Sequence, residues 1–457
     1  MTASAAMEQA RQAKAAGDLR TAATLYARAA AERPESAVAE HNLASTLGDL
    51  GEFTAAAAAS ARALAKGSKA PETWLVHARA LQGAGDLDAA EAAFLSAIGM
   101  RADYVTAHRD LAQLRWMRTA DVGAALASVD AARVPALASV EAVVLMSAGE
   151  PARAAAVLDR AIARSPDAGL HLLAANARAA LGDGEAQLAH ATAALRLAPS
   201  STEAAKAAVE ALLHLGRVAE GAGLAERIGV AAPDDQGVIA LLTTGWRLLG
   251  DPRHAALCDD PALISAQSID VPPGWATLAA FLRDVAVSLC ERHAWRTHPL
   301  DQSLRHGSQT QEDLSRVDHP VLRALFAALD KPIRAHLAQL GAGDDPVRRR
   351  NTGSYRFAGA WSVLLQPGGY HTDHVHPRGW LSSAFYVDLP ESVAEEPQGW
   401  LAFGRPGVPT SPALPPMRHV RPVAGQLVLF PSYLWHGTEP FSGEASRLTV
   451  AFDLLPG

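Results

Sequence analysis

A dense group of metal-binding residue types lies near the C-terminal end of the sequence, in residues 370–377, Tyr-His-Thr-Asp-His-Val-His-Pro. Alternate residues of a β-strand point to the same side, so His374 and His376 can face one metal ion. His371 and Asp373 can do the same. Imidazole and carboxylate ligands suit Fe(II) and related divalent ions, which accept nitrogen and oxygen donors on one face. The residues therefore predict a metal site and leave two ligand pairs open.

A third ligand has to come from a distant part of the chain, and His436 is well placed to supply it. The mostly apolar run 426–430 is predicted to form a strand, and Pro431 and Ser432 are predicted to form a turn. His436 follows shortly after. Arg447 lies eleven residues further on, at the start of the last apolar run. Its guanidinium can bind a carboxylate through two parallel hydrogen bonds.

The elements that must position these residues are short apolar runs separated by Gly and Pro. Runs of this length and spacing are typical of an all-β jelly roll or barrel built from two packed sheets. The predicted strands are 360–365, 381–389, 400–403, 426–430 and 447–454.

The order of these residues resembles that of 2-oxoglutarate/Fe(II) oxygenases, in which His-x-Asp or a variant precedes a distal His and then Arg or Lys. The resemblance covers residues 350–457. More narrowly, the phrase at 374–386 together with Phe-Pro-Ser at 430–432 and His436 resembles an oxygenase subfamily of bacteria and phages that is often joined to tetratricopeptide repeats. The stretch 299–310 also resembles this subfamily, which extends the expected catalytic unit upstream to about residue 256.

The resemblance implies the roles of individual residues. His436 is the implied distal iron ligand, Arg447 the partner of the far carboxylate of 2-oxoglutarate, and Tyr386 a second donor to that carboxylate. The subfamily phrase centres on His374 and His376, so we favour these two as the proximal ligands. The literal His-x-Asp of the wider family occurs only at residues 371–373, and this pair remains the alternative. The implied cofactor is Fe(II), with 2-oxoglutarate and O2 as co-substrates.

A repeat pattern occupies the first half of the chain. Glycine recurs every 34 residues at Gly17, Gly51 and Gly85, followed each time by an acidic residue. Small and apolar residues recur between these glycines at helical spacing, which predicts one helical hairpin per repeat. Residues 119–135 show no clear hairpin pattern, so a kink or packing seam is predicted there. Later members of the pattern are Gly149, Gly182, Gly216 and Gly250, with Pro34, Pro166, Pro199 and Pro233 at the ends of repeats.

This pattern resembles the tetratricopeptide repeat family over residues 1–255. The resemblance implies a right-handed superhelix of helix pairs whose concave groove holds a peptide, a partner protein or a second copy of the chain. We expect a peptide or protein substrate to be recruited there. The alternative is that the repeats serve only as a scaffold or as a dimerisation surface.

Together these patterns predict an α+β multidomain protein. Residues 1–255 are the expected all-α tetratricopeptide-type solenoid, and residues 346–457 the expected double-stranded β-helix, a jelly-roll or cupin-like fold. Residues 256–345 are expected to buttress it with helices near 275–293 and 321–340. The Arg-Arg-Arg run at 348–350 is predicted to be a solvated linker.

Composition excludes several other classes of protein. The net charge of -7, with no long basic block, argues against a nucleic-acid or anionic-lipid surface. No apolar run is long enough to predict a membrane span. Only Cys258 and Cys290 are present, without metal-binding or disulfide spacing, which favours a cytoplasmic protein. No P-loop, dinucleotide-binding glycine motif, zinc-protease motif or nucleophile elbow occurs.

The resulting prediction is an Fe(II)- and 2-oxoglutarate-dependent dioxygenase that hydroxylates a side chain of a recruited peptide or protein. The first rival is a three-histidine or cupin-like metalloenzyme that needs no 2-oxoglutarate. The second is a non-catalytic repeat adaptor with a degenerate oxygenase fold. Other ring residues are assigned to packing or surface roles, namely His293, His298, His306, His419, Trp361, Trp380 and Trp435.

Overall fold

The computed structural model describes residues 5–457. The chain forms two compact units, Met1–Val144 and Leu145–Gly457. No helix of the described residues is long and apolar enough to cross a lipid bilayer.

Helices that pack in consecutive pairs build the first unit. Alanine dominates the contacts between them, and buried residues such as Ala22, Ala44 and Ala59 let neighbouring helices approach closely. The helices are α1 (Ala5–Ala15), α2 (Leu19–Glu32), α3 (Ala37–Asp49), α4 (Phe53–Ala65), α5 (Pro71–Gly83), α6 (Leu87–Met100), α7 (Val105–Thr119) and α8 (Val122–Ala132). Helix α9 (Ala138–Ser147) continues into the second unit.

The recurring Gly-acidic pair has a structural reason at the turns between helices. Gly17 and Gly85 adopt left-handed backbone conformations, with φ of 80° and 88°, which side chains with a Cβ rarely adopt. The next residue is then the N-cap of a helix. The carboxylate of Asp18 accepts from the backbone N–H of Thr21 at 3.1 Å, and Asp86 caps the following helix in the same way.

Residues 119–135 belong to a helical hairpin, although their sequence shows no clear hairpin pattern. Helices α7 and α8 form a hairpin like the others. Ala120 takes the place of the missing glycine and adopts the left-handed conformation itself, with φ of 57°. Asp121 then caps α8 by accepting from the backbone N–H of Ala124 at 2.6 Å. The hairpin is therefore retained although its sequence marker is lost.

The second unit contains further helical pairs followed by a sheet domain. Its helices are α10 (Pro151–Arg164), α11 (Ala168–Ala180), α12 (Gly184–Leu197), α13 (Thr202–His214), α14 (Val218–Ala231), α15 (Gln236–Leu249), α16 (Arg253–Cys258), α17 (Leu278–Cys290) and α18 (Pro320–Leu340). The predicted helices near 275–293 and 321–340 are confirmed as α17 and α18, which contact each other and pack on the sheet.

In the part of the chain that the structure describes, nine antiparallel strands form one curled, jelly-roll-like sheet. The strands are β1 (Ser265–Ser268), β2 (Leu304–Gln309), β3 (Tyr355–His374), β4 (Leu381–Asp388), β5 (Leu401–Phe403), β6 (Arg418–Val420), β7 (Gln426–Pro431), β8 (His436–Thr438) and β9 (Arg447–Pro456). Neighbouring strands follow the order β1-β7-β4-β9-β3-β8-β5-β6, and β2 also pairs with β3. The predicted combination of a helical repeat region with a C-terminal jelly-roll-like sheet is therefore confirmed.

Strand β3 is long enough to pair with different neighbours along its length. Its first half pairs with β9 from Tyr355 to Leu365, and its end pairs with β8 through His371 and His374. The histidine-rich segment therefore begins inside β3. The predicted strands 360–365 and 381–389 had left this segment between two strands. This continuation brings the end of β3 against β8, where His436 lies.

The arginine run at 348–350 makes specific contacts, so its prediction as a solvated linker is wrong. Arg348 pairs with Asp260 and, at 2.9 Å, with Asp345. Arg349 pairs with Asp234 at 2.6 Å, and Arg350 donates to the carbonyl oxygen of Gly379 at 3.1 Å. The run thus connects the loop before α15 to the sheet domain.

Candidate active site

Three histidines come together at the junction of β3 and β8. His374 ends β3 opposite His436, the first residue of β8, and His376 lies two residues beyond the strand. The ring centroids are 4.3 Å apart for His374 and His436, and 5.1 Å apart for His374 and His376. One ring nitrogen of each lies within 4.8 Å of those of the other two. Within residues 5–457, these three residues are the one group of at least three His, Cys, Asp or Glu side chains placed closely enough to bind the same metal ion.

Each of the three imidazoles has its Nδ1 atom engaged in a hydrogen bond. Nδ1 of His374 lies 2.8 Å from the carbonyl oxygen of Thr372, and Nδ1 of His436 lies 2.9 Å from that of Leu434. Because a carbonyl can only accept, these nitrogens carry the proton and leave Nε2 with its lone pair. Acceptors placed in this way fix the tautomer and ring orientation of metal-binding histidines.

A carboxylate holds the third imidazole. Nδ1 of His376 lies 2.7 Å from Oδ2 of Asp453, which belongs to β9. The other oxygen of Asp453 accepts from the hydroxyl of Ser382 at 2.8 Å, and Ser382 in turn contacts the hydroxyl of Ser432. Trp361 stacks on the His376 ring with a centroid distance of 6.0 Å and an interplanar angle of 18°. His376 is therefore fixed from two sides.

Burial favours the neutral form of two of the three imidazoles, those of His374 and His436. Burial lowers the pKa of His374 to about 3 and holds that of His436 well below its ordinary value. The neighbouring imidazoles act in the same direction, since a second positive charge nearby is unfavourable. Neutral imidazole is the form that donates a lone pair to a metal ion, so His374 and His436 are available to bind a divalent cation near neutral pH.

The alternative pair, His371 and Asp373, has other partners. Nδ1 of His371 lies 3.0 Å from the hydroxyl of Ser303, and Oδ2 of Asp373 lies 2.5 Å from Nε of Arg405. Burial raises the pKa of Asp373 in spite of this guanidinium. His371 still lies close to the cluster, because its ring centroid is 6.0 Å from that of His374. The carboxylate, in contrast, is engaged in an ion pair with Arg405, which also contacts Glu439 at 3.0 Å.

Arg447 is a buried guanidinium without a carboxylate partner among the described residues. Only 2% of the residue is exposed, and burial lowers its pKa. Among residues 5–457, its Nε atom has no hydrogen-bond partner, and neither does the hydroxyl of fully buried Tyr386. The guanidinium carbon lies 5.2 Å from the centre of the Tyr386 ring. A buried guanidinium beside a buried hydroxyl fits an anionic ligand, because a buried charge without a counter-charge is costly.

Sequence reasoning missed most of the supporting residues. Asp453 carries a weak signal, as the one acidic residue in the apolar strand β9, but Ser303 and Ser382 carry none. His293, predicted to have a packing or surface role, lies between the hydroxyls of Ser308 and Ser362 at 2.8 and 3.0 Å. Trp435, also assigned to packing, makes a hydrogen bond to a repeat helix through its indole nitrogen.

Comparisons with known families give matches in two separate parts of the chain. Residues 359–453 match the family described as "Putative 2OG-Fe(II) oxygenase". Residues 75–138 and 140–202 match the tetratricopeptide repeat. The C-terminal region thus carries a domain of the 2OG-Fe(II) oxygenase type and the helical region carries tetratricopeptide repeats, as the resemblances implied. A search of curated proteins found no match.

Solved structures similar to the chain include tetratricopeptide repeat proteins. One from Parabacteroides merdae is 14% identical, with 52% of this chain and 96% of that chain covered and a TM-score of 0.37. One from Thermus thermophilus is 21% identical, covering 46% of this chain and 100% of that one, with a TM-score of 0.27. The C-terminal part of a repeat protein from Cytophaga hutchinsonii is 12% identical, covering 52% and 99%, with a TM-score of 0.36.

Proposed function

We propose that the sheet domain is an Fe(II)- and 2-oxoglutarate-dependent oxygenase. The observation that carries this proposal is the environment of Arg447. Its guanidinium is buried and has no carboxylate partner in the described chain. Within the described chain its Nε atom has no hydrogen-bond partner, and it lies beside the hydroxyl of Tyr386, which has none either. A dicarboxylate co-substrate supplies the missing anion. The match of residues 359–453 to the oxygenase family supports the same class.

We assign the metal to His374, His376 and His436, each binding through Nε2. In support, Nδ1 of each ring is engaged by Thr372, Asp453 or Leu434, which orients Nε2 toward the shared position. Arg447 and Tyr386 hold the far carboxylate of 2-oxoglutarate. When bound, Fe(II) with 2-oxoglutarate and O2 supplies the oxidising power to insert oxygen into a C–H bond, and the protein contributes orientation and dryness.

The catalytic unit that we propose includes two strands upstream of those predicted from the sequence. Strands β1 and β2, at residues 265–268 and 304–309, pair with β7 and β3. Ser303 precedes β2 and contacts both His371 and His374. We therefore place the oxygenase within residues 256–457 and the repeats within residues 1–255.

The substrate that we propose is a peptide or protein side chain. Tetratricopeptide repeats generally bind other proteins, and a binding surface tethered to a catalytic site raises the local concentration of its target. Incubation with 2-oxoglutarate and a peptide library should give one added oxygen atom on a peptide by mass spectrometry, with an equal amount of succinate. Succinate formed without any oxidised peptide would argue against this substrate class.

Anaerobic titration tests the co-substrate. The iron-loaded protein should develop the visible charge-transfer band of the Fe(II)–2-oxoglutarate chelate. Arg447→Gln should weaken 2-oxoglutarate binding by about 100-fold, because truncating one side of a buried charge pair removes several kcal/mol. Arg418→Gln is the control, since Arg418 also lies near an aromatic ring, that of Phe403, but is only half-buried. A folded, iron-loaded protein that showed no band and bound no 2-oxoglutarate would rule out the proposed activity.

Substitution tests the ligands. Alanine at His374, His376 or His436 should abolish tight metal binding, whereas His371→Ala and Asp373→Ala should leave it largely intact. If His376→Ala retained the metal and Asp373→Ala lost it, the alternative pair would be the correct one. Because all three assigned ligands are histidines, a 2-oxoglutarate-independent three-histidine enzyme is the second candidate. It predicts that Arg447→Gln leaves turnover unchanged.

A further inference from the structure

One helix of the last repeat contacts both segments that carry the proposed metal ligands. Helix α15 begins at Gln236, whose backbone N–H donates to the carbonyl oxygen of Pro377 at 3.2 Å. Pro377 directly follows His376. Two turns further along α15, Thr244 accepts from the indole N–H of Trp435 at 2.9 Å, and Trp435 directly precedes His436.

The contact at the start of α15 follows from helix geometry. The first N–H groups of a helix have no partner within the helix, so they bind an acceptor from elsewhere. The Pro377 carbonyl supplies one. The segment from His376 to Gly379 is also closed by the bond from the N–H of Gly379 to the carbonyl of His376, at 3.0 Å. Fixing Pro377 therefore restricts His376.

The contact at Thr244 fixes the other segment. The hydroxyl of Thr244 donates to the carbonyl oxygen of Ala240 at 2.7 Å, which leaves its lone pairs free to accept from Trp435. The Trp435 ring also packs on the apolar cluster of α13 to α15 that includes Val209, Leu213 and Leu241. Its carbonyl accepts from the N–H of Gly404 at 2.8 Å, and Arg247 of α15 binds the carbonyl of Gly404 at 2.7 Å.

We propose that α15 is a positioning element of the metal centre, and that Thr244 acts through Trp435 to set the place of His436 relative to His376. Neither family match includes α15, since they end at residue 202 and begin at residue 359. The last repeat therefore belongs to the working unit of the oxygenase as well as to the repeat array. This inference rests on the proposed metal centre, and its test does not use turnover.

The test is titration of the full-length, metal-free protein with Co(II), whose visible absorption reports ligand geometry. Thr244→Val removes the acceptor for Trp435 and should weaken Co(II) binding about 10-fold, at the low end of the range for outer partners of metal ligands. Its absorption spectrum should also change. Thr244→Ser retains the hydroxyl and should restore both the affinity and the spectrum.

Thr243→Val is the matched control. Thr243 is adjacent on α15, is equally buried at 3% exposure, and also donates to the carbonyl of Ala240, at 3.0 Å. Its substitution should leave Co(II) affinity within about twofold, because effects on the helix alone are shared by both variants. Trp435→Phe removes the donor of the same hydrogen bond, so Thr244→Val should have a smaller effect in the Trp435→Phe protein than in the wild type.

The outcomes separate this inference from the proposed function. Equal Co(II) affinities and spectra for the Thr243 and Thr244 variants, or full additivity with Trp435→Phe, would overturn the role of α15. Selective weakening by Thr244→Val in a protein that binds no 2-oxoglutarate would support the role of α15 and overturn only the proposed activity. A wild-type protein that bound no Co(II) would overturn both.

Discussion

Of the three clustered imidazoles, one has its Nδ1 atom hydrogen-bonded to a carboxylate. Asp453 contacts Nδ1 of His376, whereas the equivalent atoms of His374 and His436 contact neutral carbonyl oxygens. A carboxylate behind a ligand makes the imidazole a stronger donor than a carbonyl does. The three ligands that we assign are therefore chemically unequal, although all are histidines.

Asp453→Asn should weaken metal binding about 10-fold, because the amide keeps an acceptor for Nδ1 but removes the negative charge. Co(II) titration of the metal-free protein measures the change. Asp373→Asn is a suitable comparison, since Asp373 is also largely buried but pairs with Arg405. It should bind Co(II) like the wild type. Equal weakening in both variants would mean that the effect is one of general charge and not of the contact with His376.

At the level of residues, the sequence predicted which side chains meet but not what supports them. His374, His376 and His436 converge, and Arg447 lies buried beside Tyr386, because each residue lies in a strand of the sheet or directly beside one. Their supports come from main-chain carbonyls and from distant strands, as with Thr372 and Asp453. Carbonyl acceptors exist at every residue, so no pattern of side chains can indicate them.

At the level of elements, the turn between α7 and α8 shows how a repeat can lose its marker and keep its shape. Ala120 holds a left-handed conformation that glycine adopts in the other turns. An L-residue with a Cβ is strained there, by about 1–2 kcal/mol. Packing of α7 against α8 offsets this strain.

Ala120→Gly should therefore raise the free energy of unfolding by about 0.5–1 kcal/mol, since the relief of strain exceeds the entropy that glycine loses on folding. Urea denaturation followed by circular dichroism should show a higher midpoint with an unchanged slope. Ala84→Gly is the control, because Ala84 lies in the corresponding turn before Gly85 but has an ordinary right-handed conformation. It should lower the midpoint. A lower midpoint for Ala120→Gly would contradict the strain argument.

Elements were predictable in proportion to their length and apolar content. The long runs in β3, β4, β7 and β9 were found, whereas β6 and β8 have three residues each and β1 is Ser-Ala-Gln-Ser. Strand β2, Leu-Arg-His-Gly-Ser-Gln, has no apolar alternation. Such strands form because neighbours in the sheet supply hydrogen bonds, which is information from tertiary structure.

At the level of the whole molecule, the sheet domain buries several uncharged imidazoles. Burial lowers the pKa of His293 and His336 to about 4, as it lowers that of His374. Both ring nitrogens of His336, in α18, are buried without a hydrogen-bond partner among the described residues. Each such residue takes up a proton more readily in the unfolded chain than in the folded one.

Stability should consequently be independent of these groups above pH of about 6.5 and fall as the pH drops from there toward about 4. His336→Leu should remove one contribution, worth about 1.4 kcal/mol per pH unit in that window, and so flatten the profile. Denaturation of the metal-free protein at several pH values measures this. Leu337→Met changes the adjacent buried side chain without removing a titrating group and should keep the wild-type slope. An unchanged slope for His336→Leu would show that His336 is not held neutral.

The general architecture was predictable because periodicity distinguishes helical hairpins from strands. The way in which the last repeats pack on the sheet domain was not, since these contacts depend on groups such as the carbonyls of Leu213 and Pro377, and on arginines that had looked like a linker. A run of charged residues in a sequence does not show which groups its side chains pair with. Three-dimensional packing decides whether Arg348, Arg349 and Arg350 are solvated or paired.

The hydrogen bond from Gln236 to Pro377 also links events at the metal to the end of a helix. Local opening at the start of α15 must release the segment after His376, so an ion that holds His376 in place also opposes that opening. By reciprocity, the free energy by which the bound ion opposes this opening equals the free energy by which the opening weakens the hold on the ion. The amide proton of Gln236 should thus exchange with solvent more slowly in the loaded protein, although it belongs to a repeat helix and touches no ligand of the ion.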